Sequence, residues 1–297
     1  MSFKSLDLNR IKSYDRNQYV EPENKIVEIY KGLRGDKFRY FLRQVLSLSN
    51  LSEQYYSVLL DKEGINLYDQ AFTHKTANAT HNYEFFEFLG DTTLNKIIAW
   101  YLSRRFMQLN CPEGVKVLTR LKINLISKKS FVEFAKQLHF WDFISADMDI
   151  RMNKMDKTLE DVFEAFFGVT ELLIDARIRQ GAGYSICYSI LEKLMNNREI
   201  SLKYEDLFDS KTRLKEMFDF FGDQIGKMVY ESEKVERIHY VKIILINDDG
   251  KRKQIIGEGS GALKATAEQK ASTEALKVLQ RMGFHKPLSE GYKLFCS

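Results

Sequence analysis

Only three cysteines and three prolines occur in the 297 residues. Cys111, Cys187 and Cys296 are odd in number and show no metal-ligand spacing, which argues against a disulfide framework or a cysteine zinc site and suits a reducing, cytoplasmic or other intracellular compartment. Pro22, Pro112 and Pro287 all fall outside the helical patterns described below, as a mostly helical interior requires. No apolar run approaches the roughly 20 residues that span a bilayer, and the N-terminus has no apolar core of a secretion signal. A large net charge is also missing. With 45 basic and 41 acidic residues the balance is +4, so any contact with nucleic acid must come from local patches. No repeat at solenoid periods is present. Aromatic side chains, by contrast, are abundant, with 21 phenylalanines among them. Length and composition fit two modest domains with real cores.

The chain is organised around Asn82–Asp91, Asn-Tyr-Glu-Phe-Phe-Glu-Phe-Leu-Gly-Asp. The pattern predicts one long helix from Tyr83 to about Met107, apolar nearly all round and therefore central. Glu84, Glu87 and Asp91 are three and four apart, which stacks them on one stripe. Either the stripe faces solvent, or it is enclosed and needs protons or a cation to relieve its repulsion. A second apolar helix, Leu159 to about Ala176, carries Asp161 and Glu164 on one face. Two such helices can close one metal cluster between them, and all-oxygen ligands suit a hard divalent ion. Gly90 and Gly168, each costing about 1 kcal/mol in a helix, point to close helix approach beside the acids.

These residues carry a family resemblance. Tyr83-Glu-Phe-Phe-Glu-Phe-Leu-Gly-Asp91 resembles the signature motif of ribonuclease III, and Asp161-Val-Phe-Glu-Ala165 resembles its second acidic motif. Phe72-Thr-His-Lys-Thr76, Glu113-Gly114 and Leu118-Thr-Arg-Leu121 are similar to the segments between and before them. The resemblance runs from about Phe38 to Gly283. It implies an all-helical nuclease domain followed by an α-β-β-β-α double-stranded RNA-binding domain. The implied metal ligands are Glu87, Asp91, Asp161 and Glu164, with Glu84 as an outer acid and Glu113 as a secondary contributor. His74 is taken as structural. Lys157 sits where some relatives carry a lysine near the scissile phosphate, and Arg120, Lys122, Lys128 and Lys129 form a basic run that is either a solvated face or a phosphate contact.

Taken in order, residues 1–37 form an N-terminal extension and 38–196 the nuclease domain. A linker at 197–208, the RNA-binding domain at 209–283 and a tail at 284–297 follow. Within the nuclease domain a helix is expected over Leu118–Leu138. In the RNA-binding domain the patterns predict helix Lys211–Phe221, strands Lys227–Ser232, His239–Asn247 and Lys253–Gly257, a turn at Asp248-Asp249-Gly250, and helix Thr266–Met282. The resemblance assigns RNA contact to Lys211, Arg213, Lys215, Lys264 and Lys270. Departures lie close by: Ala265 stands where the family usually has a second lysine, Gly259–Lys264 is longer than the usual loop, and the domain is only weakly basic.

The implied reaction is hydrolysis of phosphodiesters in double-stranded RNA with Mg²⁺, for which Mn²⁺ should substitute. In a two-metal scheme one ion activates the attacking water and the other neutralises the leaving 3′ oxygen. Products with 5′-phosphate and 3′-hydroxyl ends and a short 3′ overhang need two active sites on one duplex, hence a homodimer. Phe88 matches an aromatic of the family's dimer interface, or else packs within its own subunit. The alternative function is binding or sequestering of double-stranded RNA with cleavage secondary.

Overall fold

The computed structural model describes residues 28–126, 128–246 and 253–296. The N-terminal extension before Glu28, the expected turn Asp248–Gly250, and the side chains of Lys128 and Lys129 lie outside the described residues. By contact the chain forms two compact units. One holds the described residues through Met107 together with Leu121–Glu199, the other Gln108–Arg120 with Ile200 onward.

The first unit is helical. Helices α1 (Asp36–Leu46), α2 (Glu53–Leu59), α3 (Lys62–Ala71) and α4 (Glu84–Arg105) precede α5 (Val115–Ile126), whose first turns belong to the second unit. Then come α6 (Lys128–Gln137), α7 (Met148–Asn153), α8 (Met155–Arg177) and α9 (Ala182–Met195). The span Leu118–Leu138 is thus helical on both sides of Ser127, which is not described. A two-stranded ribbon pairs β1 (Ile29–Tyr30) antiparallel with β2 (Ala146–Asp147), which ties the last part of the N-terminal extension to this unit.

The central helix is α8 rather than α4. Fifteen of its residues are buried. Phe163 packs its ring against Phe131, Phe134, Phe140 and Phe167, and Phe166 packs against Tyr68 and Phe140. Each such aromatic contact adds about 0.5–1.5 kcal/mol beyond area burial. Helix α4 was expected to be enclosed all round, but it buries only one side. Phe85, Phe88 and Trp100 are 47%, 70% and 51% exposed. Where α4 crosses α8, two glycines meet. A Cβ on Gly90 would overlap the Glu164 carbonyl oxygen, and one on Gly168 would overlap that of Phe86. The two backbones therefore touch, which brings the acids on either side of the crossing within reach of each other.

In the second unit α10 (Tyr204–Leu207) and α11 (Ser210–Phe221) precede the antiparallel sheet β3 (Lys227–Val235), β4 (Ile238–Ile246), β5 (Lys253–Gly261). Helices α12 (Lys264–Arg281) and α13 (Glu290–Phe295) follow. β3 and β5 are longer than expected, β4 has the expected length one residue earlier, and α13 lies in what reads as a tail. Ala267, Ala271 and Ala275, four apart and fully buried, let α12 lie close on the sheet. Asp209 caps α11 by accepting from Thr212 N–H at 2.9 Å, worth roughly 1 kcal/mol. Gln108–Arg120 joins this unit for a visible reason: the Arg120 Nε donates to the Leu207 carbonyl at 2.8 Å and its guanidinium covers the Phe208 ring. Among the described residues no helix is long and apolar enough to cross a membrane.

Candidate metal centre

The two helices bring three carboxylates together. Glu87 from α4, with Asp161 and Glu164 from α8, place one oxygen each within 4.8 Å of the others. Asp161 and Glu164 are buried, at 5% and 8% exposure. The i,i+3 spacing on α8 sets the pair side by side, and the Gly90–Gly168 crossing supplies Glu87.

Their ionisation reports the crowding. Burial, and then the charge of Asp161, push Glu87 up to about 7. Burial, and then the charge of Asp91, push Glu164 up to about 8. One hydrogen-bond donor and one ammonium serve Asp161. The Tyr83 phenol donates to Oδ2 at 3.0 Å, and burial with the adjacent carboxylate drives that phenol's own pKa upward, so it remains a donor. Oδ1 is buried and has no hydrogen bond of good geometry; the Lys157 ammonium lies 2.5 Å away. The same ammonium is 3.8 Å from Glu160 and 4.0 Å from Glu87.

One lysine thus serves several acids. Carboxylates crowded enough to hold protons near neutral pH, in an all-oxygen donor set, fit a hard divalent cation that would take the protons' place. No softer ligand is present in the cluster.

The other sequence-derived residues lie outside this group of three. Asp91 is exposed and accepts from Asn95 Nδ2 at 2.9 Å; its oxygens are outside the group of three, although its charge acts on Glu164. Glu84 is exposed and paired with Lys75 at 2.7 Å. Glu113 is exposed, belongs to the second unit, and is not among the acids brought together. His74 is buried and neutral in character, its pKa lowered by burial. Phe88 is solvent-facing and is not buried within its own subunit among the described residues.

On the second unit Lys215, Lys264 and Lys270 are exposed, while Lys211 is held by Glu268 at 2.6 Å. Arg213 is placed differently from these lysines. Its side chain is only 19% exposed and turns toward Glu205, 4.0 Å away, with a buried Nε. Two functional neighbours escaped sequence reasoning, Tyr83 as a donor and Glu160 as a further acid. Glu160 lies four before Glu164 on the same helix, a spacing that could have found it; the phenol has no such signal.

The family profile described as Ribonuclease III domain matches residues 84–172, the span from α4 into α8. A protein of invertebrate iridescent virus 6 carrying the provisional name ribonuclease 3 is 40% identical over 263 residues, 84% of this chain and 90% of that one. A frog virus 3 protein with the same provisional name is 35% identical over 241 residues, covering 80% of this chain and 62% of that one. Ribonuclease 3 of Pediococcus pentosaceus is 30% identical over 224 residues, 72% and 90% of the two chains.

Proposed function

The chain belongs to the ribonuclease III family, and on that footing we propose that it cuts double-stranded RNA at a divalent-metal centre held by Glu87, Asp91, Asp161 and Glu164. The carrying observation is the set of three carboxylates within 4.8 Å, served by one lysine. Asp91 completes the set by turning from Asn95, a change of side-chain rotamer on an exposed helix face. Mg²⁺ is the ion, and Mn²⁺ replaces it, because the ligands are hard oxygens. When bound, the metal supplies positive charge against the charge that develops on the reacting phosphate.

The chain's own residues do the rest. Tyr83 holds one Asp161 oxygen, Lys157 supplies a fixed cation beside the acids, and Glu84, paired to Lys75, keeps a further charge at the rim. Lys215, Lys264 and Lys270 offer exposed cations for the duplex backbone, with shape rather than sequence as the basis of recognition. Cleavage leaves 5′-phosphate and 3′-hydroxyl ends with a short 3′ overhang, which requires two centres on one duplex. The exposed aromatics Phe85, Phe88 and Trp100 on one side of α4 support a homodimer, since patches of this kind mark association surfaces. Domain limits of 38–196 and 209–283 serve these two roles.

The test is direct. Full-length protein is incubated with long duplex RNA in Mg²⁺ or in chelator, and the product ends are mapped. Metal-dependent cutting that Glu164→Gln abolishes is expected; cutting in chelator, or a Glu164→Gln rate above a tenth of wild type, overturns the assignment.

A further inference from the structure

The segment Thr73–Thr76 stands before the acidic motif and has no part in the chemistry derived so far. Its surroundings give it one. The Thr73 carbonyl accepts from Tyr83 N–H at 3.0 Å, which fixes the start of α4 to this segment. The segment is itself anchored: His74 N–H donates to the Ser145 carbonyl at 2.8 Å, and Ser145 N–H donates to the Phe72 carbonyl at 2.9 Å. The His74 ring meets the Tyr83 ring edge-on, with centroids 5.5 Å apart. Its Nδ1 accepts from Thr76 N–H at 3.1 Å and lies 2.9 Å from the Thr76 hydroxyl, which also accepts from Asp147 N–H at 3.1 Å. Backbone and ring together leave the Tyr83 side chain, 4% exposed, no other place to go.

We propose that Tyr83 is a positioning residue for the metal ligand Asp161, and that His74 and the Thr73–Thr76 segment exist to hold it. The two Asp161 oxygens are divided between two partners. Oδ2 receives the phenol. Oδ1, with no hydrogen bond of good geometry, faces Lys157, whose Nζ is 4.0 Å from Glu87. A donor on Oδ2 alone fixes the rotation of the carboxylate about its last bond. Oδ1 is thereby directed toward the Lys157–Glu87 side, where a cation is needed. Without the phenol only the Lys157 ion pair restrains that rotation, and the carboxylate loses part of the order it brings to binding. Outer partners of this kind commonly change metal affinity by about 10–100-fold.

This inference rests on the proposed metal site, so the experiment separates the two. Mn²⁺ alone is titrated calorimetrically into the full chain, into Glu164→Gln, into Tyr83→Phe and into His74→Ala. Thermal midpoints are measured on the same samples. The wild type is expected to bind and Glu164→Gln to bind poorly. If these two behave alike, the metal site itself is wrong and Tyr83 has nothing to position. With that control passed, Tyr83→Phe should bind about tenfold more weakly with a thermal midpoint near wild type. The Mg²⁺ concentration for half-maximal cleavage should rise by the same factor, and the rate at saturating Mg²⁺ should largely recover. His74→Ala, which keeps the phenol, should move affinity in the same direction by less. Tyr83→Phe with wild-type Mn²⁺ affinity overturns the inference. Should that variant not fold, His74→Ala decides, and unchanged affinity there overturns it equally.

Discussion

Glu164→Gln should stabilise the metal-free protein at high pH while destroying its activity, and the size of the effect follows from the site. Glu164 has a pKa of about 8 in the folded chain, against an ordinary 4.5. Its folded pKa is raised, so between these values the folded state keeps a proton that the unfolded state has released. Stability therefore falls as pH rises through this window, and the cost is absent below it. At about 1.36 kcal/mol per pH unit, the cost reaches roughly 4 kcal/mol at pH 8. The glutamine amide cannot ionise, so the variant escapes that cost. It must still satisfy its own polar atoms, at about 1–3 kcal/mol if they go unpaired. The variant should thus exceed wild type by about 1–3 kcal/mol at pH 8 and lose that advantage by pH 5. Urea unfolding in EDTA tests this, and both tryptophans, Trp100 and Trp141, lie in the helical unit, so fluorescence follows that unit alone. A difference between variant and wild type that is the same at pH 5 and pH 8 would mean that Glu164 ionises freely, and would refute the reasoning.

Four further outcomes are expected. Gly90→Ala or Gly168→Ala should force α4 and α8 apart, costing about 1–3 kcal/mol from overpacking against about 1 kcal/mol gained in helix propensity; wild-type cleavage in either folded variant would show that the crossing does not set the site. Phe88→Glu should halve the mass seen by light scattering at micromolar concentration, since a dimer would bury an unpaired charge, and an unchanged dimer places Phe88 outside the interface. Lys264→Ala with Lys270→Ala should flatten the dependence of duplex affinity on salt, by about one in log–log slope per lysine, whereas Arg213→Ala should lower stability and leave that slope alone. Mg²⁺ should raise the thermal midpoint of the wild type more at pH 8 than at pH 6, because below about 7 to 8 protons compete for Glu87 and Glu164; equal shifts at both pH values would count against these ligands.

The acids were readable because a helix converts spacing into geometry. Asp161 and Glu164 are three apart on a helix, and that alone set them side by side on α8. The glycines were readable for a related reason: a residue that weakens a helix interior implies a compensating approach, and Gly90 and Gly168 do meet across it. The enclosure of α4 was misjudged because apolarity does not reveal what it packs against. Phe88 has the same hydrophobicity whether it is bound for a core or for a second protein surface, and only the positions of the other helices decide. Tyr83 escaped notice because a phenol beside phenylalanines reads as more core, and its hydroxyl gains a role only from a carboxylate 78 positions away. Arg213 is different, since its inward placement could be read from the sequence. Lys211, Arg213 and Lys215 alternate along α11, and residues two apart in a helix point to nearly opposite sides. A helix that shows Lys211 and Lys215 to solvent must turn Arg213 inward, and there it meets Glu205. Charge at the matching position of a motif is therefore weaker evidence of contact than the side of the helix on which it falls.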